Sequence, residues 1–177
     1  MWSEHFGRVS KVAKLVEARG VPYRMTLDHS HVIFKIDNPE EQEVLNMRQD
    51  VESGAVVLDP RLDGNVCDEW IGAGYVWHCH ARAAIPNNPK NIWGRHENGA
   101  VGRGIQHPFF QPGPGEYVAE WREDALEPWK LVVRRLMAHH AATPSSALGQ
   151  ISTEFIPGPD YGMGHKYSIF EHSAACA

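Results

Sequence analysis

Three residues that can bind a metal ion each stand at or just after the end of a predicted strand. Asp28 follows one apolar run, His80 ends a second, and Glu154 lies near the end of a third. Sites in α/β folds form beyond the carboxyl ends of parallel strands, so we expect these side chains to meet. One Asp, one His and one Glu suit Mn²⁺, Mg²⁺, Co²⁺ or Zn²⁺. A single polar residue at a strand end is more often structural, so the prediction depends on the three occurring together.

Other polar residues follow the same predicted strands. His31 is placed in a loop, where it can meet a substrate hydroxyl or bond to the backbone. Arg82 can clamp a substrate oxygen or phosphate. The two-residue period of a strand puts His78 on the face of His80 but one layer deeper, as a substrate contact or a core histidine. Cys79 points to the opposite face and is a poor candidate ligand.

The elements that must position these residues alternate along the chain. Strands are predicted over 23–27, 75–80 and 150–155, and helices over about 4–19, 38–53, 65–71, 125–140 and from 167 to the end. Asn38 followed by Pro39 is a helix start, and Gly20 is a helix end. Alternation of this kind predicts parallel strands joined by right-handed crossovers.

A long irregular segment over about 82–123 separates the second strand from the next helix. It is rich in Pro and Gly, and it carries Trp93, Phe109, Phe110, Tyr117 and Trp121. Loops of this length in a small domain are usually functional or disordered, and the aromatic content favours an ordered, lid-like loop.

Composition limits the class of protein. The 177 residues suit one domain, 42% are hydrophobic and 22% are charged, and the formal net charge of −5 argues against a nucleic-acid partner. No apolar run approaches the roughly 20 residues of a membrane span. The beginning of the chain lacks the pattern of a signal peptide. Three isolated cysteines without a C-x-x-C pair fit a reduced cytoplasm, so a cytoplasmic location is expected.

Three segments together resemble the xylose isomerase-like TIM-barrel superfamily of sugar phosphate isomerases and epimerases. They are 26–31 (TLDHSH), 78–82 (HCHAR) and 152–157 (STEFIP). The resemblance implies a partial (β/α)8 barrel over 1–177, with about three parallel strands alternating with helices and the N-terminal half missing. It implies metal binding by Asp28, His80 and Glu154, proton transfer by Glu154, and a substrate-binding and catalytic role for His31. Arg82 is a looser match to the family's substrate arginine.

The resemblance also implies a further glutamate ligand on a strand before the first helix. That strand is expected to be missing from this chain, and Glu4 is expected on the helix itself as a first-turn charge. Lys35 and Lys166 are expected to be solvated loop cations. Because a half-barrel has two open sheet edges, pairing with a second copy or another chain is expected.

The function implied is divalent-metal-dependent isomerisation or epimerisation of a small sugar, sugar phosphate or hydroxy-ketone through an enediolate. This chain is expected to be weak or inactive, because one carboxylate ligand is missing. Two alternatives stay open. One is a metal-dependent hydrolase or lyase on the same barrel, endonuclease IV-like or a dehydratase, and the other is a non-catalytic fragment.

Overall fold

The computed structural model describes residues 3–86, 91–95, 99, 101–102, 104–157 and 165–177. The helices are α1 (Phe6–Glu17), α2 (Ser30–Ile33), α3 (Pro39–Val44), α4 (Arg48–Glu52), α5 (Val66–Gly72), α6 (Glu127–Ala142) and α7 (Ile169–Cys176), with a 3₁₀ turn at Asp124–Leu126 before α6. The strands are β1 (Met25–Asp28), β2 (Val76–Ala81), β3 (Asn91–Arg95), β4 (Val101–Gly102) and β5 (Gln150–Thr153). The chain is therefore a mixed α/β protein.

The main sheet is open and has three parallel strands in the order β1-β2-β5. Its register aligns Asp28 with His80, and His80 with Ser152. Aligned residues lie on one face, and the next row, Leu27 with Cys79, lies on the opposite face. The predicted parallel order is confirmed. The register brings the carboxyl ends of the three strands together at one end of the sheet.

The main core lies on the face of Leu27 and Cys79, both of which are fully buried. Helices α1, α5 and α6 supply the opposing apolar side chains, including Phe6, Trp70 and Trp129. Phe6 and Trp70 meet edge to face with their ring centroids 5.8 Å apart. The buried apolar stripe is Phe6, Val9 and Ala13 in α1, and Trp129, Val132 and Leu136 in α6.

Helix starts follow the capping residues. The Asn38 side chain accepts a hydrogen bond from the backbone N–H of Glu41, with Pro39 as the first residue of α3. The single helix predicted over 38–53 is wrong, because α3 and α4 are separate. Asn46 lies between them with φ +54°, a left-handed conformation that interrupts a right-handed helix.

The segment after β2 also differs from its prediction. It contains the antiparallel pair β3–β4, so it is not wholly irregular. Its later part packs into a second apolar cluster that includes Ile85, Leu126, Phe155 and Tyr167. The last strand ends at Thr153, before Phe155, and α7 begins at Ile169, two residues later than expected. Part of the predicted loop over 157–164 lies outside the described residues.

No helix in the described part of the chain is long and apolar enough to cross a membrane.

The three cysteines, Cys67, Cys79 and Cys176, are free thiols. In the three-stranded sheet, β1 and β5 are the edge strands.

Candidate metal centre

The three predicted ligands converge. Asp28, His80 and Glu154 each offer one ligand atom, and these atoms lie within 4.8 Å of one another. Asp28 is the last residue of β1, His80 lies in β2 one residue before its end, and Glu154 directly follows β5. The parallel register of the strands therefore brings together two carboxylates and one imidazole, although Asp28 and Glu154 are 126 positions apart in sequence.

Asp28 is buried and accepts hydrogen bonds at both carboxylate oxygens. Oδ1 accepts from the backbone N–H of Ser30 at 3.2 Å and from its hydroxyl at 2.5 Å. Oδ2 lies 2.6 Å from Nη2 of Arg82 and 3.2 Å from Nε2 of His31. Burial raises the pKa of Asp28, but His31, Arg82 and Ser30 outweigh it and hold the pKa well below its usual range. Asp28 is therefore ionised at neutral pH.

Arg82 joins the two carboxylates of the candidate centre. Its guanidinium donates to Oδ2 of Asp28 at 2.6 Å and to Oε2 of Glu154 at 3.0 Å. It also donates to the hydroxyl of Ser30 at 2.8 Å, and only 1% of the residue is exposed. The predicted contact between Arg82 and a substrate stays a prediction. In this structure the guanidinium is bound to two carboxylates of the protein itself.

His31 lies between two carboxylates. It belongs to the short helix α2, so its expected place in a loop is wrong. Its Nδ1 is 3.2 Å from Oε1 of Glu4, and its Nε2 is 3.2 Å from Oδ2 of Asp28. Both ring nitrogens therefore lie close to carboxylate oxygens, and the ring lines the cavity beside Asp28.

Glu4 and Lys35 do not lie where their sequence context predicts. Glu4 precedes α1 and lines the same cavity as Asp28, so the expected first-turn helix charge is wrong. Lys35 is fully buried, not solvated. Its ammonium group donates to Glu4 at 2.7 Å and to the backbone oxygen of His31 at 3.1 Å, and lies 3.8 Å from Glu41. Lys166, by contrast, is exposed as expected.

No signal in the sequence pointed to the contact between Glu4 and Lys35. The two residues are 31 positions apart, and neither belongs to a motif. Lys35 follows His31 by four positions, a spacing that brings side chains together on a helix, but a lysine at such a position is usually solvated.

The two histidines of β2 have different surroundings. His80 Nδ1 is 3.3 Å from Oε2 of Glu154. His78 Nε2 instead lies 3.0 Å from the hydroxyl of Ser152, and His78 lines a separate, wider cavity with Trp77. The structure thus brings His80 into the candidate centre and leaves His78 outside it, although their rings are only 4.7 Å apart.

Cys79, between these histidines, points to the opposite face of β2, as predicted, and that face packs into the core. It is fully buried, and its Sγ lies 3.6 Å from Nδ1 of His29. Burial raises the pKa of Cys79 to about 12, so it remains a thiol at neutral pH. Because Cys79 faces the core and does not line the cavity at His80, it is not part of the candidate centre.

The cavity at the candidate centre has a volume of about 350 Å³. Thr26 and Ile156 complete a wall formed by the charged residues described above. The aromatic residues expected to cover a site pack elsewhere in the part of the chain that the structure describes. Trp121 donates to the backbone oxygen of Pro108, and the Tyr117 hydroxyl is 3.1 Å from His107. The side chain of Trp93 lies outside the described residues.

The charges around the cavity do not cancel. Four carboxylates and two permanent cations are connected by ion pairs or through His31: Glu4, Asp28, Glu41, Glu154, Lys35 and Arg82. Counting these six groups alone and leaving the histidines out of the count, the cluster carries a formal surplus of two negative charges. A single divalent cation has the charge that offsets this surplus.

Comparisons with protein-family models, with curated proteins and with solved structures found no match.

Proposed function

We propose that this protein binds one divalent cation through Asp28, His80 and Glu154. The observation that carries the proposal is the convergence of their ligand atoms within 4.8 Å. Mixed carboxylate and imidazole ligands suit Mn²⁺, Mg²⁺, Co²⁺ or Zn²⁺. The ionised state of Asp28 and the surplus of two negative charges fit such an ion.

We further propose that the three-stranded sheet is part of a (β/α)8 barrel of the xylose isomerase-like type. Support comes from the parallel strand order, the alternation with helices, and a candidate centre at the carboxyl ends of the strands. Barrel enzymes of this kind place their chemistry at that end. The open edges of β1 and β5 would then pair with further strands, from a second copy or another chain.

The reaction we propose is isomerisation or epimerisation of a small sugar, sugar phosphate or hydroxy-ketone. A bound divalent cation supplies polarisation of neighbouring carbonyl and hydroxyl oxygens. The carboxylate of Glu154 lines the cavity and is half-buried, so it can remove the proton next to a carbonyl and form an enediolate. Arg82 and His80 both contact its Oε2, which leaves its position well defined.

His31 is the second residue we place in proton transfer or substrate binding. Its ring lines the cavity, and contacts to Glu4 and Asp28 fix its orientation. An imidazole in this position can exchange a hydrogen bond with a substrate hydroxyl. The formal net charge of −5 on the chain disfavours a polyanionic substrate such as nucleic acid.

Calorimetric titration with Mn²⁺, Co²⁺ and Zn²⁺ tests the proposed centre. We expect one ion per chain for the wild type and loss of binding for His80→Ala. His78→Ala is a matched control, because the same residue type is removed from the same face of β2 but outside the cavity. Equal affinity of the wild type and His80→Ala would rule out the proposed ligands.

Exchange of substrate hydrogen tests the proposed chemistry. A ketose incubated in D₂O with the metal-loaded protein should gain deuterium at the carbon next to the carbonyl, because an enediolate is reprotonated from solvent. The exchange should be slow, because this chain is expected to be weakly active. Glu154→Gln should abolish the gain, and His78→Ala should retain it. Conversion of substrate without deuterium uptake, under conditions where Glu154→Gln is equally active, would exclude this mechanism.

A further inference from the structure

The carboxylate of Asp28 has no acceptor capacity left in this structure. A carboxylate offers about four lone-pair sites. Two are used by the backbone N–H and hydroxyl of Ser30, at 3.2 Å and 2.5 Å. The other two face Arg82 at 2.6 Å and His31 at 3.2 Å. A cation that binds Asp28 must therefore replace one of these partners.

Arg82 occupies the position of a bridging cation between the proposed ligands. Its Nη2 contacts Asp28 and its Nη1 contacts Glu154, at 2.6 Å and 3.0 Å. These two carboxylates are also the anionic members of the proposed metal set. The buried guanidinium holds together two negative charges that would otherwise repel one another.

We infer that Arg82 is an internal counter-cation that competes with the metal ion for Asp28 and Glu154. This inference rests on the proposed metal centre and concerns how that centre is loaded. In the metal-free protein the guanidinium keeps the two carboxylates assembled. When a divalent cation binds, Arg82 gives up Oδ2 of Asp28.

Among the partners of Asp28, Arg82 is the one expected to yield. Ser30 is the first residue of α2, and its backbone N–H is fixed by the course of the chain from β1 into the helix. Arg82 reaches Asp28 through a flexible side chain. Its permanent positive charge also repels a divalent cation at the same carboxylates.

Zinc affinity of Arg82 variants provides the test. Calorimetry on the whole chain should show roughly tenfold tighter Zn²⁺ binding for Arg82→Gln than for the wild type, the effect of removing one charge-assisted competitor. Arg135→Gln is the control, since Arg135 pairs with Asp68. It should bind Zn²⁺ like the wild type. Unchanged or weaker binding by Arg82→Gln would overturn the inference.

A measurement on the wild type remains decisive if Arg82→Gln does not fold without metal. The protein is labelled with ¹⁵N-arginine, and its NMR spectrum is compared with that of Arg82→Lys. The guanidinium signal that is missing from the variant is assigned to Arg82. We expect Zn²⁺ to shift that signal in proportion to occupancy of the centre. If zinc binds and the Arg82 signal does not move, the competition is overturned but the proposed metal centre is not. Absence of zinc binding to the wild type overturns the proposed centre and the competition together.

Discussion

His31 and Glu4 form a contact that ties the beginning of the chain to the candidate centre. Nδ1 of His31 lies 3.2 Å from Oε1 of Glu4, while Oε2 of Glu4 accepts from Lys35 at 2.7 Å. Nε2 of the same imidazole lies 3.2 Å from Oδ2 of Asp28. A residue that precedes the first helix thus influences the orientation of a ring at the end of the first strand.

Glu4→Gln should lower stability by about 1–3 kcal/mol, because the buried ammonium group of Lys35 loses its closest carboxylate. Urea unfolding at neutral pH measures this change. The control is Glu43→Gln, which makes the same substitution at an exposed position of α3 and should change stability by less than about 0.5 kcal/mol. Equal effects of the two substitutions would show that Glu4 does not hold Lys35 in solution.

The candidate centre could be predicted from sequence to the extent that it depends on strand ends. Asp28, His80 and Glu154 belong to parallel strands, and the carboxyl ends of such strands share an edge whatever the rest of the chain does. Glu4, Lys35 and the bridging role of Arg82 could not be predicted this way. Their contacts depend on the exact path of the segments before α1, after α2 and after β2, which no periodic pattern encodes.

Helix boundaries show the same limit. The pattern over 38–53 has the capping and charge signals of one helix, and the start at Asn38 is correct. The break comes from one residue, Asn46, whose left-handed backbone turns α4 away from α3. Asn adopts this conformation more readily than most residues, but it also occurs within helices, so the break could not be read from the sequence.

Asn46→Ala should therefore destabilise the protein by about 1 kcal/mol, since a Cβ without the polar Asn side chain is disfavoured at φ +54°. Asn46→Gly should be neutral or stabilising, because glycine adopts this conformation freely. Paired urea unfolding curves measure the difference between the two variants. If alanine were the more stable of the two, a continuous helix over 38–53 would be the better description.

The buried imidazole of His107 should make stability depend on pH. Burial lowers the pKa of His107 to about 4, against about 6.5 in an unfolded chain, so the folded state favours the neutral ring. Its contribution is complete above pH 6.5 and is lost as the pH falls from 6.5 towards 4. Between pH 7 and pH 4.5, this single group should cost about 2–3 kcal/mol.

Comparison of His107→Gln with the wild type isolates this contribution. The variant should start less stable at pH 7, because contacts to Tyr117 and to the backbone oxygen of Arg122 are altered, and should lose less stability on acidification. His140→Gln, at an exposed position, should follow the wild-type profile. Parallel profiles for His107→Gln and the wild type would show that His107 is not the group responsible.

The two carboxylates of the candidate centre should differ in their contribution to the metal-free fold. Asp28 is buried against Arg82, whereas the Glu154 side chain is 31% exposed. Asp28→Asn leaves a buried guanidinium without its closest partner and should cost about 3 kcal/mol. Glu154→Gln weakens a partly solvated contact and should cost about 1 kcal/mol or less. Chemical unfolding in the presence of a chelator measures both values.

Addition of Zn²⁺ should then separate stability from binding. The wild type should gain about 2.7 kcal/mol at a free zinc concentration one hundred times the dissociation constant. Both variants should gain much less, because each lacks one of the ligands that converge within 4.8 Å. If either variant gains as much stability from zinc as the wild type, the substituted residue is not a ligand. The difference in stability between the metal-free proteins would still report the pairing with Arg82.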